Sequence, residues 1–261
     1  MPNVELIRKS AQELSEAETN LKPIPPFTGR AEELSQDDAY RVQLEVVEMR
    51  RKLGHRLVGK KVGLTSKAMQ DLAGFAQPDY GHLFEQMQVE NRATILMDNL
   101  IQPRIEPEVA FVLDRPLKGP GLTVNDVLRA TAYVTPSLEI VDSRIRDWRI
   151  RWIDTVADNG SSARFVLGDQ AILPSGIDFR TMGMVLEKNR EVVVTATMAE
   201  VLGSPLRAVC WLANKLSEWN IGLEAGDVIL PGSCCRAIPM EKGDFIEAHM
   251  GGIGSVGVAF R

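Results

Sequence analysis

The spacing of hydrophobic residues along the chain changes near residue 57, from a helical period to short apolar runs. Residues 4–20 carry apolar side chains at helical spacing and charges on the opposite face, which predicts an amphipathic helix. A second helix is expected to begin at Ser35 and to end near Leu53, because Ser35 and Asp38 resemble a capping box. The sequence therefore predicts a helical N-terminal region of residues 1–56.

Residues 57–261 contain short apolar runs between glycines, prolines and polar turns, which predict mainly strands. The expected strands are 58–65, 94–97, 105–113, 132–141, 163–168, 182–187, 191–197, 227–230, 245–249 and 255–260. The other expected elements are helices at 66–72, 124–130 and 205–219, and a turn at 77–81. The fold class is therefore α+β, with a helical N-terminal layer on a β-rich, mixed-sheet body. The pattern alone leaves a sandwich, a roll and a partly closed barrel open.

Two of the predicted strands carry carboxylates among apolar residues. Glu106 and Glu108 lie two residues apart in the strand 105–113, so their side chains share one face. Glu139 lies within the apolar run 132–141. Burying an unpaired carboxylate costs roughly several kcal/mol, and a hard divalent cation such as Mg²⁺ or Mn²⁺ would remove that cost. The alternative, from spacing alone, is that these glutamates lie at an exposed strand end and bind nothing.

Bulk composition limits the kinds of partner. The net charge of −5 argues against a nucleic-acid surface, which needs a basic stripe. No apolar run approaches the roughly 20 residues that span a bilayer, and the N-terminus lacks the basic-then-apolar pattern of a signal peptide. Cys210, Cys234 and Cys235 have neither a disulfide pattern nor zinc-ligand spacing, so we expect reduced thiols in a cytoplasmic protein.

Several polar residues of the β-rich region have both a structural and a chemical interpretation. Lys61 lies in the apolar segment 58–64, where it is either an edge lysine with a solvated head or a desolvated lysine with a lowered pKa. Strand alternation points Lys60 to the opposite face, and one of the two lysines is expected in solvent. Asp79 lies in the predicted turn, where aspartate commonly caps its own backbone. The polar loop 157–162 is either an ordinary turn or a nest for an anion.

Five separated segments together resemble the 2-keto-4-pentenoate hydratase / 4-oxalocrotonate decarboxylase family, which belongs to the fumarylacetoacetate hydrolase superfamily. They are the segments 61–67, 78–81, 103–108, 139–148 and 156–159, and the segments 226–232 and 252–256 fit as well. The resemblance covers nearly the whole chain, in order. It implies a fumarylacetoacetate hydrolase-like β-roll or barrel, with the catalytic domain in residues 57–261.

The resemblance also assigns expected roles to individual residues. It implies that Glu106, Glu108 and Glu139 bind one Mg²⁺ or Mn²⁺ ion. It implies that Lys61, rather than Lys60, and Asp79 are catalytic. The implied substrate contacts are Ser161, which would meet a carboxylate, Leu64 and Gly232. The chain departs from the family pattern at Gly160, where alanine is usual, at Pro231, where threonine is frequent, and at Cys234 and Cys235.

The implied activity is a hydratase of the meta-cleavage pathway of aromatic degradation. It would add water to 2-hydroxypenta-2,4-dienoate (2-oxopent-4-enoate) or a close homologue and give a 4-hydroxy-2-oxo acid. A homo-oligomer is expected, as is association with a sister enzyme of the pathway. The alternative within the family is a 4-oxalocrotonate (2-oxohex-3-enedioate) decarboxylase, in which Arg144 or Arg146 would bind the second carboxylate.

Two further hypotheses lie outside the hydratase and decarboxylase pair. A carbon–carbon hydrolase of the wider superfamily would need a histidine paired with a carboxylate, and no histidine lies in such a motif. A non-catalytic partner of a sister enzyme would be indicated by loss of Glu106, Glu108 or Lys61, and all three are present.

Overall fold

The N-terminal layer consists of two helices, as the sequence predicts. The structure, a computed structural model, describes residues 3–66, 70–71 and 76–261. Helix α1 spans Val4–Thr19 and helix α2 spans Gln36–Lys52. Ser35 is the N-cap of α2 and forms a capping box with Asp38, which confirms the predicted start. The two helices pack against each other.

The larger of two sheets has eight strands. In chain order its strands are β1 (Leu57–Gly63), β2 (Asp79–Phe84), β3 (Gln88–Val89), β5 (Arg104–Leu113), β6 (Thr131–Val141), β7 (Ser162–Leu167), β10 (Val228–Leu230) and β11 (Ile238–Pro239). Their spatial order is β2-β1-β10-β5-β6-β7-β3, and β11 pairs with the start of β5. The β1–β10 and β3–β7 pairs are parallel and the others are antiparallel, so the sheet is mixed.

A second sheet of five strands faces the first. Its strands are β4 (Thr94–Ile95), β8 (Gly183–Lys188), β9 (Glu191–Thr197), β12 (Phe245–Met250) and β13 (Gly254–Phe260), in the spatial order β4-β13-β12-β8-β9. Strands β12 and β13 contact β6, and β13 also contacts β7. The remaining helices are α3 (Val124–Ala130), α4 (Trp152–Ala157) and α5 (Pro205–Leu216), with short 3₁₀ turns at Glu85–Met87, Met97–Asn99, Arg146–Trp148, Asn159–Ser161, Met198–Glu200 and Ser217–Trp219.

The hydrophobic core is continuous between the helical layer and both sheets. One buried cluster joins Ala11 and Val42 of the helices to Phe111 and Leu138 of the large sheet and to Val256 of the small one. This arrangement confirms the predicted α+β class, with helices layered on a mixed-sheet body. The boundary between residues 56 and 57 stays a prediction. In the described ranges, no helix has the length and apolar character needed to cross a bilayer.

Two local expectations are wrong. The segment predicted as a turn at 77–81 becomes strand β2 from Asp79 onward and pairs antiparallel with β1. Gly81 pairs with Lys61 in that strand, and glycine is needed there because a Cβ would lie 2.3 Å from the carbonyl oxygen of Asn159. Neither Lys60 nor Lys61 reaches solvent, since both are buried. The helix expected at 66–72 lies largely outside the described residues.

Candidate active site

Three glutamates lie side by side on one face of the large sheet. Strands β5 and β6 pair in a register that places Glu106 directly opposite Glu139. Glu108 lies two residues further along β5 and therefore shares that face. One oxygen of each carboxylate lies within 4.8 Å of an oxygen of the other two. Glu108 and Glu139 are fully buried and Glu106 is half-buried, so the cluster does not lie at an exposed strand end.

The carboxylate oxygens of this cluster are poorly satisfied by the protein itself. The Gly232 amide donates to Glu108 Oε2 at 2.6 Å. Glu108 Oε1 and both oxygens of Glu139 accept no hydrogen bond from the described residues. Burial raises the pKa of Glu106 to about 7, and burial together with the neighbouring carboxylates raises the pKa of Glu108 well above its ordinary value. Clustered oxygens of this kind fit a hard divalent cation, which would offset both the burial and the like-charge repulsion.

Lys61 supplies a positive charge next to the glutamates. Its Nζ lies 3.2 Å from Glu139 Oε2. Burial by itself would lower the pKa of Lys61, but the carboxylates of Glu139, Asp79 and the two remaining glutamates outweigh burial and raise it. One interpretation of the sequence was that the pKa of Lys61 is lowered. The neighbouring carboxylates raise that pKa instead, so the ammonium group stays protonated at neutral pH in the metal-free site.

Asp79 lies across a narrow gap from Lys61. It begins β2, opposite Gly63 of β1, and its Oδ2 accepts a hydrogen bond of 2.8 Å from Thr155 Oγ1. Its Oδ1 has no hydrogen-bond partner in the described part of the chain. A Cβ on Gly63 would lie 2.1 Å from Asp79 Oδ1 and 3.4 Å from Lys61 Nζ. Glycine is therefore required at position 63, and Asp79 Oδ1 and Lys61 Nζ both lie close to the place that a Cβ of residue 63 would occupy.

The loop after α4 holds Ser161 beside these groups. Ser161 has a positive φ of 56°, and its Oγ donates to Asp158 Oδ2 at 2.9 Å. The buried Arg144 side chain donates from Nε to Asp158 Oδ1 at 2.6 Å and fixes that carboxylate. A Cβ on Gly160 would lie 3.0 Å from Lys61 Cδ. The absence of a side chain at this departure from the family pattern therefore leaves room for the lysine stem.

A cavity of about 350 Å³ opens above these residues. Buried side chains of Lys61, Asp79, Thr155 and Ser161 line its floor, together with the half-buried Glu106. Leu64, in the left-handed backbone region with a φ of 54°, also lines the cavity. Gly232 reaches the site through its bond to Glu108, and the described cavity lining does not include it.

Arginines surround the outer part of the same cavity. Arg149 and Arg236 are exposed there, and Arg104 is half-buried. The Arg104 guanidinium lies over the Trp148 ring at 4.3 Å from its centroid. The Trp148 indole in turn donates from Nε1 to the Gln102 carbonyl oxygen at 2.9 Å, which fixes the ring.

Arg144 and Arg146, which the sequence suggested as possible ligands of a second carboxylate, do not line the described cavity. Arg144 is buried, and besides Asp158 it bonds to the carbonyl oxygens of Asp142 and Ser162. Arg146 is exposed and is absent from the described cavity lining.

Sequence reasoning missed Thr155 and the rim arginines. Thr155 lies in α4, which the pattern did not predict, and its partner Asp79 is 76 positions away. No local signal identifies such a contact. Arg104 had a signal, because it lies two residues before Glu106 and strand alternation puts both on one face.

Comparisons with known proteins give a consistent result. Residues 60–260 match the family model described as fumarylacetoacetate (FAA) hydrolase C-terminal. The chain is 46% identical over 217 residues to a 2-hydroxypent-2,4-dienoate hydratase of Pseudomonas putida, covering 83% of this chain and 98% of the relative. It is 40% identical over 256 residues to a 2-oxo-hept-4-ene-1,7-dioate hydratase of Escherichia coli, covering 96% of each.

A solved structure extends the similarity to the whole fold. The 4-oxalocrotonate decarboxylase from Pseudomonas putida G7, complexed with magnesium and adipate, superposes with a TM-score of 0.96 at 38% identity. The match covers 100% of this chain and 99% of that one. The chain therefore belongs to the fumarylacetoacetate hydrolase superfamily and, within it, to the 2-keto-4-pentenoate hydratase / 4-oxalocrotonate decarboxylase family.

Proposed function

We propose that the protein is a divalent-metal-dependent hydratase. It adds water to 2-hydroxypenta-2,4-dienoate, or to a close homologue, and gives a 4-hydroxy-2-oxo acid. The observation that carries the proposal is the cluster of Glu106, Glu108 and Glu139, in which three oxygens of Glu108 and Glu139 accept no hydrogen bond from the described residues. The cluster lies next to a cavity lined by Lys61 and Asp79. A relative named as a 2-hydroxypent-2,4-dienoate hydratase supports the substrate class.

Glu106, Glu108 and Glu139 are the residues that would hold the cation, with Mg²⁺ or Mn²⁺ favoured by the all-oxygen ligand set. The related decarboxylase structure contains magnesium. When bound, the cation supplies positive charge that polarises the C2 oxygen of a 2-hydroxy or 2-oxo acid. Gly232 would act on this part of the site by orienting the Glu108 carboxylate through its amide.

Lys61 and Asp79 are suited to the two proton movements that the reaction needs. The dienol must lose the proton of its C2 hydroxyl and gain one at C5, which gives a conjugated 2-oxo acid. Water then adds at C4, and C3 gains a proton. Asp79 Oδ1, which has no partner among the described residues, can accept a proton. Lys61 Nζ, which lies 3.2 Å from Glu139 Oε2 and lines the cavity, can donate one.

Ser161 and Leu64 would orient the substrate from the floor of the cavity. The Ser161 hydroxyl now donates to Asp158, so it would have to turn toward a substrate carboxylate to bind it. The floor residues Lys61, Asp79 and Thr155 are all buried, so the reacting atoms would be held away from bulk water. In such a low-dielectric site, charged groups interact more strongly than they do in solvent.

A decarboxylase acting on 2-oxohex-3-enedioate is the second candidate function. Two observations favour it: the TM-score of 0.96 to a 4-oxalocrotonate decarboxylase, and the guanidinium groups at the cavity rim. The same floor would serve both reactions. The distinction is whether the product has gained water or lost CO₂.

An ultraviolet assay with parallel CO₂ measurement tests the proposal. The purified, Mg²⁺-loaded protein is offered 2-hydroxypenta-2,4-dienoate and 2-oxohex-3-enedioate separately. We expect loss of the dienoate absorbance with formation of the 4-hydroxy-2-oxo acid and no CO₂. Glu108→Gln is the inactive control. Stoichiometric CO₂ from the enedioate, with negligible turnover of the dienoate, would instead assign the chain to the decarboxylases.

Placement in aromatic catabolism, a cytoplasmic location and association with a sister enzyme remain part of this proposal. So does the expected homo-oligomer. Strand β9 is at an edge of the small sheet and exposes Val192 and Val193, and an uncovered apolar edge of this kind is suited to subunit contact. Light scattering coupled to size exclusion would measure the mass in solution and decide between a monomer and an oligomer.

A further inference from the structure

One glutamine of the helical layer joins the two segments that carry Asp79 and Thr155. Gln43 of helix α2 is fully buried. Its Nε2 donates to the Tyr80 carbonyl oxygen at 2.8 Å and to the Val156 carbonyl oxygen at 2.7 Å. Tyr80 directly follows Asp79, and Val156 directly follows Thr155. A single side chain therefore links the backbones of two residues whose side chains bond to each other at the floor of the cavity.

Both carbonyl groups lie where the backbone lacks a regular partner. Strand β2 is at an edge of the large sheet, so its outer side has no neighbouring strand within the described part of the chain. Further along that edge, the Asn159 side chain bonds to the backbone amide and carbonyl groups of His82. Val156 lies in the last turn of α4, where carbonyl groups have no intrahelical amide to accept from. Two side-chain amides thus take the place of a strand partner for β2.

The bonding of Gln43 indicates that its donors are what the site requires. A side-chain amide nitrogen carries two hydrogens, and Gln43 directs one to each carbonyl oxygen. Its Oε1 accepts no hydrogen bond from the described residues. Burying an unpartnered amide oxygen is unfavourable, so apolar packing alone would favour a hydrocarbon side chain here. Tyr40, three residues earlier on α2, stacks its ring on Tyr80 with 4.7 Å between the ring centroids.

The hydrogen bond from Thr155 to Asp79 depends on how β2 and α4 lie relative to each other. The two residues are 76 positions apart in the chain, and 2.8 Å separates Thr155 Oγ1 from Asp79 Oδ2. Hydrogen bonds weaken steeply as their angle is lost. A displacement of about 1 Å in a reacting group can lower a rate about a hundredfold. A contact that fixes the spacing of β2 and α4 therefore also fixes the orientation of the Asp79 carboxyl group.

We propose that Gln43 is a positioning residue of the active site. It holds β2 against α4, so that Thr155 keeps the Asp79 carboxyl group oriented for proton transfer. This inference rests on the proposed function, in which Asp79 moves a proton. Gln43 is not among the described residues that line the cavity, and it lies outside residues 60–260, which match the superfamily model. The helical layer thus contributes to the reaction besides covering the sheet.

Gln43→Met tests the role of the two donors, because it keeps the length of the side chain and removes both hydrogen bonds. With the Mg²⁺-loaded protein and 2-hydroxypenta-2,4-dienoate, we expect kcat to fall about tenfold and KM to change little. A loss confined to kcat is expected because Gln43 does not touch the substrate. Steady-state kinetics measure both values, and denaturant unfolding measures the stability of the variant.

Val42→Ala is the matched control for stability. Val42 is fully buried on the same helix and belongs to the apolar core, so removing two methyl groups destabilises the helical layer without breaking either carbonyl contact. Its kcat should equal that of the wild-type protein. An equal loss of kcat in Val42→Ala and Gln43→Met would overturn the inference, because it would show that any loss of stability in this layer lowers the rate.

Gln43→Glu is the conservative variant, and it serves if Gln43→Met does not fold. Burial beside two carbonyl oxygens favours the protonated form of the introduced carboxyl group, which can donate one hydrogen bond instead of two. We expect its kcat to lie between those of the wild-type protein and Gln43→Met, or about threefold below wild type if only Gln43→Glu folds. A wild-type kcat in Gln43→Glu, with the unfolding midpoint lowered, would contradict the positioning role.

A double variant shows whether Gln43 acts through Thr155. If it does, Gln43→Met adds little to Thr155→Val, and the double variant loses about tenfold in kcat. Independent effects would multiply to about a hundredfold, and that result would refute the proposed route.

The wild-type protein separates this inference from the function on which it rests. If wild type hydrates the dienoate and Gln43→Met has the same kcat, the positioning role is wrong and the hydratase stands. If wild type instead decarboxylates 2-oxohex-3-enedioate, the same ratios of kcat are expected on that substrate, because both reactions would use the same floor. If it turns over neither compound, the proposed function fails and this inference fails with it.

Discussion

Strand β1 carries two adjacent lysines with contrasting surroundings. Lys60 and Lys61 are 4% and 2% exposed, so burial alone does not distinguish them. Lys61 faces the glutamate cluster, with Nζ 3.2 Å from Glu139, and the carboxylates raise its pKa. Burial lowers the pKa of Lys60, and no carboxylate of the described residues lies within ion-pair distance of it.

The surroundings of Lys60 are those of a packed interior. Its cross-strand neighbour is His82. Tyr80 lies two residues before His82 on the same face of β2, and its ring stacks on the ring of Tyr40 in helix α2 with 4.7 Å between the ring centroids. Asp227 and Glu224 act on it only from a distance. Lys60 is not among the residues described as lining the active-site cavity, whereas Lys61 is. The contrast teaches that a buried lysine becomes a functional candidate through its partners and an open cavity.

The largest expected effect comes from removing the carboxylates on the Lys61 face. Glu108→Gln should abolish both activity and binding of Mg²⁺ or Mn²⁺, because a ligand and a negative charge are lost. The fold should persist, since removal of one like charge from a buried cluster relieves repulsion. Calorimetric metal titration and circular dichroism check both points. Glu224→Gln, on the Lys60 side, is the matched control, and full activity of EDTA-treated wild-type protein would contradict the metal assignment.

The two lysines themselves give the next largest difference. Lys61→Met should lower kcat about a hundredfold or more, which is the usual scale for a lost proton-transfer group. Lys60→Met keeps the buried stem and removes the charge, so kcat should change little. Steady-state kinetics on the dienoate measure both variants. If their phenotypes were reversed, the assignment of the two faces of β1 would be wrong.

Thr155 offers a smaller test on the Lys61 side. Thr155→Val keeps the shape of the side chain and removes its hydrogen bond to Asp79 Oδ2. The loss of one hydrogen bond to the Asp79 carboxyl group should lower kcat about tenfold, with little change in KM. Thr135→Val is the control, because Thr135 bonds to the Gly168 carbonyl oxygen elsewhere in the sheet. An equal effect of both variants would indicate a general loss of stability.

The Lys60 face is expected to affect the pH dependence of stability. Burial, and then the positive charge of Lys60, hold the pKa of His82 well below its ordinary 6.5. The unfolded chain therefore binds more protons than the folded one once the pH falls below about 6.5. The free energy of unfolding consequently decreases as the pH is lowered further. His82→Leu should reduce this loss by at most about 1.4 kcal/mol per pH unit. Denaturant unfolding at pH 8 and pH 5 checks the difference, and an unchanged slope would refute it.

Much of the fold follows from local patterns. The capping residues Ser35 and Asp38 define the start of α2, and apolar runs bounded by turn residues predict most of the long strands. The pattern misreads the start of β2 as a turn, because Asp79 and Gly81 are typical turn residues. Gly81 is there to allow close approach of the Asn159 carbonyl, and this contact between distant segments leaves no periodic signal.

The sequence by itself determined that Glu106 and Glu108 share a face, because the side-chain period of a strand is two residues. It also determined that Lys60 and Lys61 point in opposite directions. Only the tertiary structure decided that both lysines are buried, that Asp79 Oδ1 and Lys61 Nζ both lie close to Gly63, and that arginines gather at the rim. The physical reason is separation along the chain. Burial, pKa and ligand geometry depend on segments that meet only after folding.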